Sequence, residues 1–216
     1  MTNALKLSVP EGLPFIDLER EFDFPVADVF RAHKEPGLVA QWLGPRGLTI
    51  DVDHYDFRTG GSYRYTHTGP DGDAYGFNGI FHTVRENDFA IQTFEFDGYP
   101  DVVSIEFLTF HDLGGGRTRL TAHAVYPSMA ARDGMAGSGM EGGLSEAYER
   151  LDELLAGAKV WASQTAEFDP DGRVRQRQAT SPGDGDLPPS HLKNSALKQT
   201  ARGHVRPVPA SGMDRT

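Results

Sequence analysis

The segment PFIDLEREFDFP, near the amino terminus, alternates strictly between apolar and acidic positions. One side carries Ile16, Leu18, Phe22 and Phe24, and the other carries Asp17, Glu19, Glu21 and Asp23. A period of two residues is typical of a strand with one face in the core and one face in water. We therefore expect the chain to enter the fold as a half-buried β-strand.

The apolar spacing becomes helical directly after this strand. Pro25 suits the first turn of a helix, and Val26, Val29, Phe30 and His33 then recur at intervals of three and four. The next segment, EPGLVAQWLGP, predicts a second short helix that ends at the Gly-Pro pair.

Residues 48–126 predict six strands separated by short turns. The strands are LTIDVDHYDF, SYRYTHT, AYGFNGIFHTV, FAIQTFEF, VVSIEFLTF and RTRLTAHAVY, and the turns include GPDGD, REND and HDLGGG. Connections this short favour an antiparallel meander, because parallel pairing needs a long crossover.

The last periodic segment, LSEAYERLDELLAGAKVW, predicts a long amphipathic helix. Its apolar stripe comprises Met140, Leu144, Ala147, Leu151, Leu154 or Leu155, and Ala158. A twisted antiparallel sheet has a concave side that such a stripe can cover. The predicted fold class is therefore α+β. A strongly curved sheet of about seven strands wraps around a long C-terminal helix, two short helices follow the first strand, and a cavity is left between sheet and helix.

The stretch GSGMEGG matches the dinucleotide pattern G-x-G-x-x-G through Gly137, Gly139 and Gly142. That pattern binds a pyrophosphate only between a strand and a helix of a βαβ unit. Here the preceding strand ends near Tyr126, about ten residues too early, and no strand follows the helix. This context excludes a Rossmann site. The glycines, with Gly143, then indicate either close approach of the sheet, a loop or a ligand to the start of the helix, or a flexible lead-in loop.

Composition divides the 216-residue chain near residue 158. We expect an N-terminal extension at 1–12, a globular domain at 13–158 and a largely disordered polar tail at 159–216, because the tail holds few large apolar side chains. The first 158 residues contain 12 Lys and Arg against 25 Asp and Glu. An acidic surface repels phosphate backbones, so nucleic acid is not expected as a partner of the domain.

Several other classes of chemistry find no support in the sequence. The chain contains no cysteine, which excludes disulfides and thiolate chemistry. Its histidines show neither an H-x-H nor an H-E-x-x-H spacing, and no G-x-S-x-G nucleophile motif occurs. We expect no metal, no cofactor and no membrane association, since no apolar run of 18 residues is present, and by default a cytoplasmic location.

The sequence resembles the START-like (SRPBCC, helix-grip) superfamily and, within it, homologues of the activator of the heat-shock-protein-ninety ATPase. The resemblance rests on FDFPVADVFRAH, QWLGPRG, DFRTGGSYRY with PDGDAYGFNGIF, GGGRTRLT and RDGMAGSGMEGGLSEAYERLDELL, and it covers roughly residues 13–157. It implies a cavity for lipids, hormones, polyketides or aromatic compounds. Some members are cyclases or hydrolases, and the eukaryotic namesake is a co-chaperone with an additional domain that has no counterpart in this sequence.

The resemblance and the residue pattern favour a cytoplasmic binding module for a small hydrophobic or aromatic ligand. The alternatives are a chaperone-associated interaction protein with a role in stress response, and a polyketide-cyclase-type enzyme; a homodimer is left open. Arg20 shares the apolar side of the first strand, so it needs a ligand anion or an internal carboxylate such as Glu95 or Glu106. The candidate ligand-binding residues are Arg20, Trp42, Tyr63, Tyr65, Phe77, Phe81, Phe94, Phe107, Met140, Gly143 and Leu144.

Overall fold

Eight strands and four helices make up the part of the chain that the computed structural model describes, residues 3–164 for the backbone and 3–158 for the side chains. The strands are β1 (Lys6–Ser8), β2 (Phe15–Phe22), β3 (Thr49–Tyr55), β4 (Ser62–Thr68), β5 (Ala74–Arg85), β6 (Phe89–Phe96), β7 (Ser104–Gly114) and β8 (Arg117–Val125). The helices are α1 (Val26–Lys34), α2 (Pro36–Trp42), α3 (Met129–Ala136) and α4 (Met140–Gln164). The predicted α+β class with a large antiparallel sheet is confirmed.

All strands belong to one antiparallel sheet in the order β1-β2-β8-β7-β6-β5-β4-β3. Strands β3 to β8 form the predicted meander, and β2 pairs with β8 in the register Phe15↔Val125 to Phe22↔Thr118. The prediction of about seven strands did not include β1. This strand lies in the segment predicted as an N-terminal extension, and it pairs with β2. A strand of three residues is too short to show a period in the sequence.

One face of the sheet is buried and the other faces water. In β2, Ile16, Leu18, Arg20 and Phe22 are buried, whereas the residues between them are partly exposed. Register shifts interrupt β3, β5 and β7, and bulges of this kind bend a strand. The open sheet therefore presents its apolar face to the helices.

Helices α1, α2 and α4 cover the buried face. Leu151 of α4 is fully buried, and Ala147, Tyr148 and Leu155 join the same core cluster as residues of β2, β4 and β8. The indole nitrogen of Trp42 donates a 2.9 Å hydrogen bond to the carbonyl oxygen of Ala32, which ties α2 to α1. The core thus lies between the sheet and these three helices.

Helix α3 was not expected from the sequence. Its N-cap is Ser128, whose hydroxyl oxygen accepts a hydrogen bond from the amide of Ala131 at 3.1 Å. A serine before MAARD is a recognisable helix-start signal. The helix is short, and its apolar positions show no clear stripe in the sequence.

The glycine-rich stretch spans the junction of α3 and α4. Gly137 caps α3, Gly139 has a φ of +85°, and Gly142 and Gly143 lie inside α4. A Cβ atom added at Gly139, Gly142 or Gly143 would meet no atom within 4 Å. Of the two interpretations left open, close approach of the sheet or a loop to the helix start is therefore not found at these three positions.

Helix α4 continues past the expected domain boundary at 158 to Gln164. The rest of the polar tail, residues 165–216, lies outside the described residues, so its predicted disorder stays a prediction. In the described part of the chain, no helix is both long and apolar enough to cross a membrane.

Candidate ligand-binding cavity

A cavity of about 200 Å³ lies between the buried face of the sheet and the helices. Its helical wall comprises His33, Val39, Trp42, Leu43, Met135, Met140, Leu144 and Tyr148. Its remaining wall comprises Tyr55, Phe57, Tyr63, Tyr65, Gln92, Phe94, Glu106, Leu108 and Tyr126. Aromatic side chains therefore dominate the lining, and only a few polar groups interrupt them.

Six of the candidate residues lie in this lining: Trp42, Tyr63, Tyr65, Phe94, Met140 and Leu144. Phe77 is on the same face but outside the lining, with its ring 5.2 Å from that of Tyr65 and 5.6 Å from that of Phe94. Phe81 is fully buried and packs 5.1 Å from the ring of Tyr63. Phe77 and Phe81 therefore pack against rings of the aromatic wall without lining the cavity.

Phe107 was wrongly expected to face the cavity. It is 41 % exposed on the opposite face of the sheet, because the inward residues of β7 are Glu106, Leu108 and Phe110. In VVSIEFLTF both alternating sets contain large apolar residues, so the sequence could not assign the inward set. Phe107 borders a depression of about 500 Å³ along β1, β2, β7 and β8 that charged residues such as Lys6 and Glu19 also line.

Gly143 also lies outside the cavity lining, and a Cβ atom added to it would point into open space. The helical wall at this end of the cavity consists of Met140 and Leu144 instead. Gly143 therefore takes no part in the candidate site.

Arg20 is buried, as its place on the apolar side of β2 predicts, but it does not line the cavity. Its guanidinium donates hydrogen bonds to Asp152 at 2.5 Å and to the backbone carbonyl oxygen of Glu21, and it lies 4.7 Å above the ring of Phe22. The carboxylate comes from α4, and neither Glu95 nor Glu106 supplies it. The result is an internal ion pair between sheet and helix, one of the two outcomes expected for this residue.

Glu106 is the only carboxylate in the described lining of the cavity. It sits opposite Gln92 on the neighbouring strand, and the Gln92 side-chain amide donates a 2.8 Å hydrogen bond to its Oε2. Burial raises the pKa of Glu106, and the hydrogen bond from Gln92 opposes this effect. The side chain is nevertheless partly accessible, because it borders the cavity.

His33 brings a second polar atom to the cavity. Its Nδ1 lies 2.8 Å from the carbonyl oxygen of Val29, which can only accept, so Nδ1 carries the proton. Its Nε2 is then an acceptor, and it is buried without a hydrogen-bond partner among the described residues. Burial lowers the pKa of His33 to about 4, so the ring is neutral at pH 7.

The hydroxyl groups of two tyrosines in the lining form hydrogen bonds within the protein. Tyr63 donates to the carbonyl oxygen of Thr93 and Tyr55 to that of His33, both at 2.9 Å. Burial raises the pKa of both phenols above the ordinary value, so they remain neutral.

The sequence pattern did not identify His33 and Gln92 as lining residues, and it indicated Glu106 only as a partner for Arg20. The sequence did contain a sign that Glu106 belongs to the site. It alternates with Leu108 and Phe110 on one side of the strand, and a carboxylate on an apolar face is unusual. No group of three or more His, Cys, Asp or Glu within the described residues is placed to hold a metal ion.

Solved structures similar to this one come from several bacteria. A protein from Rhodobacter sphaeroides is 26% identical with a TM-score of 0.66, and the match covers 72% of this chain and 99% of that one. A protein from Mycobacterium smegmatis is 26% identical with a TM-score of 0.63, covering 69% and 95%. An AHSA1 protein from Silicibacter pomeroyi, 22% identical with a TM-score of 0.57 over 67% and 99%, shares the fold.

No protein of curated function matches this sequence significantly. The family model described as activator of Hsp90 ATPase homolog 1-like protein matches residues 23–156, which include all the elements from α1 to α3 and most of α4. With more than half of its length matched, the chain belongs to the activator of Hsp90 ATPase homolog 1-like family.

Proposed function

We propose that this protein is a binding module that holds a small hydrophobic or aromatic molecule in the cavity between the sheet and α4. The observation that supports the proposal most strongly is the lining itself, which combines a wall of aromatic rings with few polar groups. Small-molecule sites in proteins typically have this composition. A cytoplasmic location and the absence of a cofactor belong to the same proposal.

The size of the cavity limits the ligand. A cavity of about 150 Å³ is enough for benzene, whereas drug-sized ligands occupy pockets of about 300–1,000 Å³. At about 200 Å³, this cavity suits one aromatic ring with a short substituent.

The helix-grip arrangement, in which a strongly curved sheet wraps around the last helix, is part of the proposal. The bulges in β3, β5 and β7 support curvature, and the burial of Leu151 and Leu155 supports close packing of α4 on the sheet. Family membership supports it as well.

Native mass spectrometry of the purified full chain, followed by thermal-shift screening with small aromatic probes, tests the proposal. We expect a co-purified small molecule or a probe that raises the melting temperature. Leu144→Phe places extra bulk in the lining and should weaken probe binding, whereas Leu154→Phe, on the same helix but outside the lining, should not. If no small molecule co-purifies and no probe binds, the chaperone-associated interaction protein becomes the better proposal.

A further inference from the structure

The carboxylate of Glu106 is incompletely partnered. Gln92 donates to Oε2, but no hydrogen bond to Oε1 and no ion pair of Glu106 is found within the described part of the chain. A carboxylate removed from water and left without a cation is costly. A ligand that brings a positive charge into the cavity would offset this cost.

The Nε2 atom of His33 is a second acceptor without a donor in the described part of the chain. His33 is 6% exposed, and its Nε2 is an acceptor with no partner among the described residues. Glu106 and His33 both lie in the wall of one cavity.

The aromatic walls favour the same kind of ligand. Among the described residues, eight aromatic rings line the cavity, and they belong to Trp42, Tyr55, Phe57, Tyr63, Tyr65, Phe94, Tyr126 and Tyr148. The negative faces of such rings attract cations, most strongly where water is excluded. Among the tyrosines, Tyr63, Tyr65, Tyr126 and Tyr148 all lie close enough to Glu106 for its charge to oppose their ionisation. The carboxylate therefore shares the wall of one cavity with these rings.

We propose that the cavity selects a small aromatic amine, with the ring packed against the aromatic wall and the ammonium group bound by Glu106, over neutral or anionic molecules of the same shape. The inference rests on the proposed function, since it requires an open cavity that accepts a ligand. The acidic charge of the whole protein acts in the same direction, because it raises the local concentration of cations.

Three probes with one skeleton test the selection by isothermal titration calorimetry on the full chain at pH 7.5. They are 2-phenylethylamine, which is cationic, 2-phenylethanol, which is neutral, and phenylacetate, which is anionic. We expect the amine to bind at least about tenfold more tightly than the alcohol, and phenylacetate to bind most weakly. Equal binding of amine and alcohol would overturn the inference and leave the proposed function intact. No binding by any probe would overturn the inference, and it would overturn the proposed function too if no small molecule co-purifies.

Glu106→Gln removes the charge but keeps the size and the contact with Gln92. It should reduce amine binding by about tenfold and leave the binding of 2-phenylethanol unchanged. Glu11→Gln, at an exposed position far along the chain from the lining, is the matched control and should change neither. Unchanged amine binding by Glu106→Gln would contradict the assignment. If this variant fails to fold, the three-probe comparison on the parent still decides.

The pH dependence offers an independent measurement. Because burial raises the pKa of Glu106, amine binding should weaken on acidification already above pH 4.5, while binding of the alcohol stays constant. Gln92, which is hydrogen-bonded to Glu106, does not titrate, and the four tyrosines whose pKa the charge of Glu106 raises stay neutral in this range. His33 in the same cavity has a pKa of about 4. If the affinities for the amine and the alcohol fall together on acidification, the cause is partial unfolding, and the role of Glu106 is overturned.

Discussion

Arg20 of β2 and Asp152 of α4 form an ion pair with an N–O distance of 2.5 Å between residues 132 positions apart in the sequence. The guanidinium is 4% exposed and the carboxylate 35%. The pair therefore connects the first long strand to the last helix at the border of the core.

Replacing Asp152 with Asn should destabilise the protein by about 1–3 kcal/mol. Breaking a fully buried pair costs about 3–5 kcal/mol and an exposed pair contributes about 0–1 kcal/mol, and Asp152 lies between these cases. Urea unfolding measures the change. Asp28→Asn removes an exposed partner of Arg31, 3.7 Å away, and should cost less than about 1 kcal/mol. Equal effects of the two substitutions would show that the Arg20–Asp152 pair contributes no more to stability than an exposed pair.

The packing of α4 is tested by Leu151→Asp. Leu151 is fully buried in the core cluster, so the substitution would place an unpaired charge in an apolar environment and should abolish cooperative unfolding. The same change at Ala156, which is exposed on α4, should preserve a cooperative transition in a thermal melt followed by circular dichroism. A cooperative melt of the Leu151 variant near the parent temperature would contradict the packing.

Glycines in different surroundings should respond in opposite ways to added side chains. Gly143→Leu enters open space inside a helix, so stability should be unchanged or rise by up to about 1 kcal/mol, with probe binding unaffected. Gly79→Ala, in contrast, would place a Cβ atom against the carbonyl oxygen of Thr93 and the ring of Tyr63. Denaturant unfolding should therefore show clear destabilisation for Gly79→Ala only. Strong destabilisation by Gly143→Leu would mean that α4 begins with a closer neighbour than the structure shows.

His33 should make stability fall on acidification between about pH 6.5 and 4. Its pKa is lowered from 6.5 to about 4 in the folded protein, so over this range the unfolded chain binds a proton that the folded protein does not. The resulting loss is about 3 kcal/mol when the whole range is crossed. It is absent above pH 6.5 and complete below the folded pKa.

The free energy of unfolding at pH 7 and pH 4.5 measures this effect. His33→Gln should reduce the difference between the two values by about 2–3 kcal/mol, because the variant has no titrating group at this site. His82→Gln, on an exposed position of β5, should leave the difference as in the parent. His67, whose pKa burial also lowers to about 4, contributes equally to all three proteins. An unchanged difference for His33→Gln would mean that His33 is accessible to protons in the folded state.

The elements with a clear local period were predictable. The alternation in β2, the spacing in α1 and the stripe of α4 arise because each element buries one face, and the sequence records that face directly. β1 and α3 are too short for a period to emerge, although Ser128 marked the start of α3.

The candidate site was predictable in kind but only partly in detail. Trp42, Tyr63 and Tyr65 stand in the cavity wall because they alternate with clearly polar neighbours or end an apolar helix. The prediction for Phe107 was wrong because apolar residues occupy both sides of its strand. Which side of β7 is buried depends on its register with β6 and β8, and that register is a property of the whole sheet.

By itself, the sequence determined the α+β class, the meander and an amphipathic final helix, because these follow from local periodicity and short turns. Only the tertiary structure decided that Arg20 pairs with Asp152 and that Glu106 faces the cavity with Gln92 as its neighbour. Such pairings join residues far apart along the chain. They depend on the register of strands and the rotation of α4, and many registers are compatible with the same hydrophobic pattern until the elements pack together.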